Sequence, residues 1–247
     1  NEINPELGGW DGFEKLNQHV RDVGLFWLQD IVPNHRAFFG TNHLLTDILE
    51  NGPHSKYYNY FDIQWDHSYE NIRGKVLAPF LGDFYARVLE RGELRLSYGP
   101  EGFRINYWEF CLPIRIQSYA RILGLELERL FSRAGLARTN LSRFLAIYKF
   151  ILHIDREREN NPDFDYAGFV KEVLWELYSS HDLVREHIDH NLKVFNAETD
   201  EEEKNYDLLD GLLSDQYFRL AYWKVGTQEL NYRRFFSIND LISLRLE

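Results

Sequence analysis

The chain opens with a pattern that is typical of an amphipathic helix. Between residues 10 and 23 the apolar positions fall three or four residues apart: Phe13, Leu16, Val20 and Val23. This spacing places them on one helical face. It predicts a helix that starts at Trp10 or Asp11 and ends at Gly24, a residue type that often follows a helix.

Residues 25–35, with the sequence LFWLQDIVPNH, follow the predicted helix directly. The near-continuous run of bulky and β-branched residues indicates a strand that is buried on both faces, as in a parallel sheet. Because α/β folds gather their chemistry at the carboxyl ends of such strands, we expect Asp30, Asn34 and His35 to form the rim of an active site. The same residues also fit a plainer interpretation, in which Asp30 is a half-buried hydrogen-bonding residue and Pro33 and Asn34 form only a turn.

Residues 36–113 indicate a small β-containing subdomain inserted after that strand. A short helical run at 44–49 ends at the turn signal Asn51-Gly52-Pro53. The segments 93–98 and 103–108 then alternate apolar and polar residues with period two around Gly-Pro-Glu-Gly. This pattern predicts a β-hairpin with a four-residue loop.

The rest of the chain is expected to be mainly helical. Three apolar stripes at helical spacing begin near residues 141, 166 and 184. An acidic run at 200–204 is expected to be solvated, and residues 217–223 are strand-like by propensity. The predicted parts of the chain are a helix-strand unit at 1–35, the β-containing insertion at 36–113, a helical insertion at 114–205 and a return segment at 206–247.

The overall composition is that of a folded, acidic protein. Of the 247 residues, 44% are hydrophobic and 16% aromatic, and the formal net charge is −11. The negative charge argues against a nucleic-acid partner, because phosphate binding needs a basic surface. No apolar run reaches the roughly 20 residues of a membrane-spanning helix, and the N-terminus has no signal-peptide pattern. The single Cys111 cannot form an internal disulfide, so we expect a cytoplasmic protein.

Other residue groups could carry chemistry. The sequence EHIDH places His187 and His190 three positions apart on a helix, but it lacks a third metal ligand, so a solvated helix face is the better interpretation. The sequence contains no glycine-rich phosphate loop, no G-x-S-x-G elbow and no Cys/His cluster, which leaves nucleotide, serine-hydrolase and zinc functions without support. The aromatic stretches at 57–67 and 217–236 could line a sugar pocket or belong to the core.

Residues 30–35, DIVPNH, resemble the D-x-x-x-N-H motif of the α-amylase superfamily of glycoside hydrolases, family 13. Flanking segments resemble one family within it, the maltooligosyl trehalose synthases. These segments follow the family's order along nearly the whole chain: NPELGG at 4–9, DILENG at 47–52, FDIQW at 61–65, KVLAPFLG at 75–82 and LNYRRFF at 230–236.

The resemblance implies an α/β fold, mostly helical by residue count, with a partial (β/α)8 barrel, an inserted small β subdomain and a large helical insertion. It implies an isomerase that converts the reducing-end α-1,4 link of a maltodextrin to an α,α-1,1 (trehalose) link by intramolecular transglycosylation. In this superfamily an Asp nucleophile and a Glu acid/base act with a second Asp, which fits the retaining two-carboxylate mechanism. No cofactor and no metal are expected.

The resemblance places no catalytic residue within this chain, because the family's G-L-R-I-D-H motif, which holds the nucleophile, has no match here. We therefore expect an inactive N-terminal fragment, which fits a chain that starts at Asn1 and contains no Met. The substrate-binding residues that the resemblance implies are His35, Asn34, Asp30, Tyr232, Arg233 and Arg234.

Two other functions fit the same residues. One is an α-glucan hydrolase of the same superfamily, and the other is a non-catalytic glycan-binding module that needs aromatic loops but no carboxylate pair. A partial barrel also has open strand edges, which invite pairing, so a homodimer of the fragment is a further expectation.

Overall fold

The computed structural model describes residues 3–28, 30, 33–40, 42–134, 141–198, 205–227 and 229–246. The chain divides between Pro33 and Asn34 into two compact units. The four-part division drawn from the sequence stays a prediction.

In the first unit the predicted helix is confirmed as α1 (Gly9–Asp22). Gly24 follows it with a φ of 73°, a left-handed value that glycine adopts without steric cost. The chain then folds back along the helix. The Trp27 ring stacks on Phe13 at 6.1 Å, and its Nε1 donates a hydrogen bond to Asn17 Oδ1 at 3.1 Å.

The strand predicted within residues 25–35 is wrong where the structure describes it. Residues 25–28 form no strand, and the side chains of Phe26 and Leu28 are 96% and 97% exposed. An apolar pattern indicates that a segment gains from burial, but it does not supply the neighbouring strands that burial requires. Asn34 lies in a turn and His35 begins a short antiparallel strand, so neither caps a parallel strand.

The second unit combines helices with short strands. The helices are α2 (His43–Asn51), α3 (Tyr85–Glu90), α4 (Tyr119–Leu123), α5 (Leu127–Ala134), α6 (Ser142–Leu152), α7 (Ile154–Asn160), α8 (Tyr166–Ser180), α9 (Asp182–Phe195) and α10 (Asp207–Ser214). The strands are β1 (His35–Ala37), β2 (Val76–Leu81), β3 (Arg95–Gly99), β4 (Gly102–Tyr107), β5 (Phe110–Pro113), β6 (Phe218–Tyr222), β7 (Arg234–Phe235) and β8 (Ile238–Ser243). The helix predicted at 44–49 is confirmed by α2.

The strands form three small sheets within the described residues. Strands β1, β8 and β7 make an antiparallel sheet in which His35 pairs with Ser243. Strands β3, β4 and β5 make an antiparallel meander, which confirms the predicted hairpin. Its loop is shorter than predicted, because Gly99 pairs with Gly102 and only Pro100 and Glu101 turn the chain.

Strands β2 and β6 pair in parallel, with Val76 opposite Phe218. The strand-like segment at 217–223 is thus confirmed as β6. Parallel neighbours need a crossover connection, and here the chain between them contains the meander and helices α3 to α10. The parallel pair and its largely helical crossover make the described fold α/β. The (β/α)8 barrel stays a prediction.

The three predicted helical stripes are confirmed by α6, α8 and α9, which pack with the strands around one hydrophobic core. In α8 the buried residues recur mainly at helical spacing: Tyr166, Ala167, Val170, Leu174 and Leu177. The acidic run at 200–204 lies outside the described residues. None of the described helices is long and apolar enough to cross a membrane.

Candidate functional site

A cleft of about 370 Å³ lies where strand β1 meets the end of strand β8. Its lining residues are Asn34, His35, Asp62, Arg233, Ser243, Leu244, Arg245 and Leu246. They come from segments that are far apart in sequence, so only the folded chain brings them together.

Backbone hydrogen bonds between these segments fix the cleft. Leu244 N donates to Asn34 O at 2.9 Å, and Asp62 N donates to Ser243 O at 3.0 Å. Arg233 N then donates to Asp62 O at 2.9 Å. Every segment that supplies a polar lining side chain is therefore held to a neighbouring segment by its main chain, which limits how far the lining can move.

The His35 ring is held on three sides. Its Nδ1 lies 2.8 Å from Asn34 Oδ1, and its Nε2 lies 2.8 Å from the hydroxyl of Ser243. The ring of Phe235 packs edge-on against it, with 4.8 Å between the ring centroids. Because the Asn34 oxygen can only accept, neutral His35 carries its proton on Nδ1 and accepts the Ser243 hydroxyl at Nε2.

The remaining polar side chains offer both kinds of hydrogen-bonding group. Arg233 and Arg245 are exposed and bring donors, and Asp62 is half-buried and brings acceptors. Arg245 Nη2 also donates to Ile63 O at 3.4 Å, which orients its guanidinium. Asp62 is the single carboxylate in the described lining, so the described residues supply no acid/base pair at the cleft. The arrangement suits binding of a hydroxyl-rich ligand.

The structure separates the predicted site residues into those that line the cleft and those that do not. Asn34, His35 and Arg233 are brought together. Tyr232 is buried in the core, where its hydroxyl donates to Asn239 O at 2.6 Å and burial raises the pKa of Tyr232. Arg234 is absent from the described lining and donates to the side chain of Asn239.

Asp30 belongs to the first unit and is exposed there. It forms at least one electrostatic or hydrogen-bonding interaction within its surroundings. Its predicted support of His35 stays a prediction.

Six of the twelve Phe, Tyr and Trp rings in the two aromatic stretches pack in or against the core, and none of the twelve is in the described lining of this cleft. Phe61 and Phe218 are fully buried, and Tyr58 stacks on Trp65 with 4.3 Å between centroids. Within the second stretch, Asn231 is buried and its side chain joins three backbone groups. Leu77 N donates to its Oδ1, and its Nδ2 donates to Lys75 O and Gln64 O.

Sequence reasoning missed Ser243 and Arg245 as lining residues, and it named Asp62 only as part of an aromatic loop. A partial signal exists for Ser243, because the β-branched Ile238 and Ile242 fit a strand, and residues 238–243 do form strand β8. The pairing of His35 with Ser243, however, is a register between distant segments that no local pattern encodes.

The interpretation of EHIDH as a solvated helix face is wrong for His187. This side chain is 5% exposed, and its Nε2 lies 2.9 Å from Leu123 O at the end of helix α4. His190 instead contacts Glu126 Oε2 at 2.8 Å. Helix α9 is nearly four turns long and packs on α4, α5, α8 and β3, so it buries more of its surface than its polar sequence suggests. Among the described residues, no three His, Cys, Asp or Glu side chains are grouped to hold a metal ion.

No protein-family model matches the chain. The similar proteins with 28% identity or more are named maltooligosyl trehalose synthase or glycosyltrehalose synthase. The relatives in sequence include two proteins from strains of Mycobacterium tuberculosis that are provisionally named maltooligosyl trehalose synthases. Each is 37% identical over 82 residues, which make up 32% of this chain and 10% of the relative.

Solved structures resemble the chain over nearly its whole length. A glycosyltrehalose synthase matches 99% of it with 28% identity and a TM-score of 0.54. A maltooligosyltrehalose synthase from Arthrobacter ramosus matches 100% with 20% identity and a TM-score of 0.53, which is a likeness of fold. The chain spans 22% and 20% of these two proteins. The predicted resemblance to the maltooligosyl trehalose synthases is confirmed, and membership of glycoside hydrolase family 13 stays a prediction.

Proposed function

We propose that this chain is part of a longer enzyme that isomerises α-1,4-glucans. The reducing-end link of a maltodextrin becomes an α,α-1,1 link by intramolecular transglycosylation, which is a step of trehalose formation. One observation carries the proposal: the chain matches a glycosyltrehalose synthase over 99% of its length at 28% identity. The shorter match to relatives named maltooligosyl trehalose synthases supports the same activity.

In this proposal the cleft at His35 holds part of the glucan. Arg233 and Arg245 donate hydrogen bonds to sugar hydroxyls, and Asp62 accepts them, since a hydroxyl both donates and accepts. His35 offers a fixed ring face, because both of its ring nitrogens already have hydrogen-bond partners. A ligand that needed a free ring nitrogen would first have to displace one of those partners.

The bond-breaking chemistry is assigned to residues outside this cleft. Its described lining contains one carboxylate, Asp62, whereas retaining transglycosylation uses two carboxyl groups about 5 Å apart. We place the chain in a partial (β/α)8 barrel whose nucleophile and acid/base come from other parts of the enzyme. The 247-residue chain alone is proposed to be inactive.

A reducing-end assay with maltopentaose tests this function. The full-length enzyme should remove reducing ends without releasing glucose, because the terminal unit becomes non-reducing. An increase in reducing ends would identify an α-glucan hydrolase instead. The isolated chain should change neither the number of reducing ends nor the amount of free glucose. Turnover by the isolated chain would contradict the assignment of the chemistry to other segments.

The cleft also favours a second candidate function, glycan binding by this chain on its own. Its described lining offers hydrogen-bond donors on Arg233 and Arg245 and acceptors on Asp62 but no second carboxylate, which fits binding without catalysis. Calorimetry with maltopentaose tests it. Binding by the isolated chain, together with no turnover by the full-length protein, would favour a non-catalytic module over the isomerase.

A homodimer of this chain is also proposed. In the described residues β6 has one edge that no other described strand occupies, whereas the outer edge of β2 is bonded by the Asn231 side chain at Lys75 and Leu77. Such edges are sites of strand pairing between chains. Light scattering would give 29.5 kDa for a monomer, and twice this mass is expected if the proposal holds.

A further inference from the structure

A second cleft lies between helix α2 and the loop that leads into helix α8. Its volume is about 590 Å³, which is within the range of small-molecule sites. It shares no lining residue with the cleft at His35. Its floor consists of three buried residues, Asn51, Arg158 and Tyr166. The more exposed Tyr57 and Phe164 lie at its rim.

A chain of hydrogen bonds holds the floor in place. Arg158 donates to Asn51 Oδ1, and Asn51 Nδ2 donates to Asp47 Oδ2 at 3.2 Å. Asp47 also accepts from the Ser55 hydroxyl. The Arg158 guanidinium lies over the Tyr166 ring, 5.9 Å from its centroid. Since each polar group fixes the next, this wall is formed before any ligand arrives.

Arg158 carries an unsatisfied group at this floor. The residue is 4% exposed, and its Nη1 has no hydrogen-bond partner among the described residues. Its ion pair with Asp155 Oδ1 is 3.7 Å long, which is beyond hydrogen-bond length. Buried N–H groups are rarely left without an acceptor, so a small adjustment toward Asp155, which does not line the cleft, or toward a ligand oxygen would complete the bonding of Nη1.

The charges around the cleft nearly cancel. The charged lining residues are Asp47, Asp163, Asp165, Lys56 and Arg158, with His43 and His54 beside them. This balance favours neither a cation nor an anion, so a neutral ligand with many hydrogen-bonding groups fits best. Phe164 is 44% exposed and packs against Tyr166 at 4.9 Å, and it therefore offers a fixed apolar surface.

We propose that this cleft is a second carbohydrate site, which binds a short α-1,4-glucan. Its amide, carboxylate and guanidinium groups bond to hydroxyls, and the rings of Phe164 and Tyr57 contact the apolar faces of the sugar. The choice of an α-glucan among neutral sugars rests on the proposed function. A site of this kind holds a long substrate at a second point and raises the effective concentration of glucan at the first.

Nuclear magnetic resonance titration of the ¹⁵N-labelled chain with maltotriose tests the proposal, because the backbone amides report on each cleft separately. We expect saturable shifts at Asn51, Tyr57 and Phe164, with a Kd on the order of millimolar. The Arg233→Ala variant should keep them, since Arg233 lies in the other cleft. Phe164→Ala should weaken binding at this cleft about threefold or more.

Phe84→Ala is the matched control, because Phe84 is exposed and does not line the cleft. It should leave the affinity unchanged. Shifts confined to His35, Arg233 and Ser243 would overturn the second site while supporting the proposed function. Shifts confined to the second cleft would support the second site and count against the first. The absence of saturable shifts at the second cleft, or equal shifts with sodium sulfate, would overturn the carbohydrate assignment.

Discussion

The hydroxyl of Ser243 lies 2.8 Å from Nε2 of His35, across the antiparallel pair that their two strands form. The DIVPNH motif is a local feature of the sequence, but the side chain that fixes its histidine is 208 residues away along the chain. His35 is therefore positioned before a ligand arrives, which reduces the ordering cost of binding.

Replacing Ser243 with alanine should release one side of the His35 ring. The Nε2 resonance of His35 should shift toward that of a free imidazole, while Nδ1 keeps its bond to Asn34. The free energy of unfolding should fall by about 1 kcal/mol, the usual net value of one hydrogen bond. Long-range ¹H–¹⁵N spectra and urea titrations measure both effects. Ser237→Ala, at an exposed turn position, is the control, and an equal change there would contradict the special role of Ser243.

Asn231→Ala should destabilise the fold strongly. Asn231 is 2% exposed and joins the backbone at Leu77, Lys75 and Gln64 by three hydrogen bonds. Removing its amide leaves buried backbone groups unpaired, at a cost of about 2–4 kcal/mol. Chemical denaturation measures this loss. The exposed Asn59→Ala should stay within about 0.5 kcal/mol of the parent, and comparable losses in both variants would be contrary to this account.

Stability should fall in mild acid because of His187. Burial lowers the pKa of His187 below its ordinary value of 6.5. The hydrogen bond to Leu123 O and the nearby Glu126 oppose this shift, while His190 and Arg129 add to it. Above pH 6.5 the imidazole is neutral in both folded and unfolded chains. Below pH 6.5 His187 is protonated in the unfolded chain but remains neutral in the folded chain. The free energy of unfolding therefore drops as the pH falls toward the pKa of the folded state.

The His187→Gln variant should lose part of this pH dependence. Thermal unfolding between pH 7.5 and about pH 5 measures it, as the slope of stability against pH follows the difference in bound protons. His54→Gln, at an exposed position, should keep the parental slope. Identical slopes for the parent and His187→Gln would show that another group is responsible.

Lys171 and Glu50 form a partly buried ion pair in which the carboxylate is buried and the lysine is half-buried. Lys171 Nζ donates to both carboxylate oxygens at 3.0 Å. Burial raises the pKa of Glu50, and Lys171 opposes that rise. Lys171→Met should therefore cost about 3–5 kcal/mol, because it leaves a buried carboxylate without its cation.

Adding Glu50→Gln to Lys171→Met should restore part of the lost stability, since the unpaired charge is then gone. Urea denaturation of the two single variants and the double variant measures the coupling. A double variant no more stable than Lys171→Met alone would contradict the charge argument.

Helices were the part of the fold that the sequence predicted best. The spacing of apolar residues in α6, α8 and α9 is local information, and burial follows it. The hairpin of β3 and β4 was also predicted, because glycines mark its turn. Residues 25–28 show where prediction from local pattern fails, since they form no strand. Their apolar run resembles a buried strand, but a strand needs partners, and a local pattern contains no information about them.

Only part of the candidate site was predicted, because a local pattern identifies a motif but not the distant residues that join it in the fold. Asn34 and His35 carry a motif, and both line the cleft. Arg233 and Arg234 are adjacent in sequence and were assigned together, but only Arg233 is in the described lining. Successive residues of an extended chain point to opposite sides, so one of two neighbours is expected to turn away. Which one does so depends on the register of β7 on β8.

This pair of arginines gives the most direct test of the central claim, that the cleft at His35 binds an α-glucan. A nuclear magnetic resonance titration with maltopentaose, followed at the backbone amide of His35 so that the second cleft does not contribute, should be carried out on the parent chain, Arg233→Ala and Arg234→Ala, after unfolding measurements show that each variant is folded. Arg233→Ala should weaken binding about tenfold, equivalent to about 1.4 kcal/mol, and Arg234→Ala should bind as the parent does. Equal losses in both variants, or a loss only in Arg234→Ala, would contradict the claim.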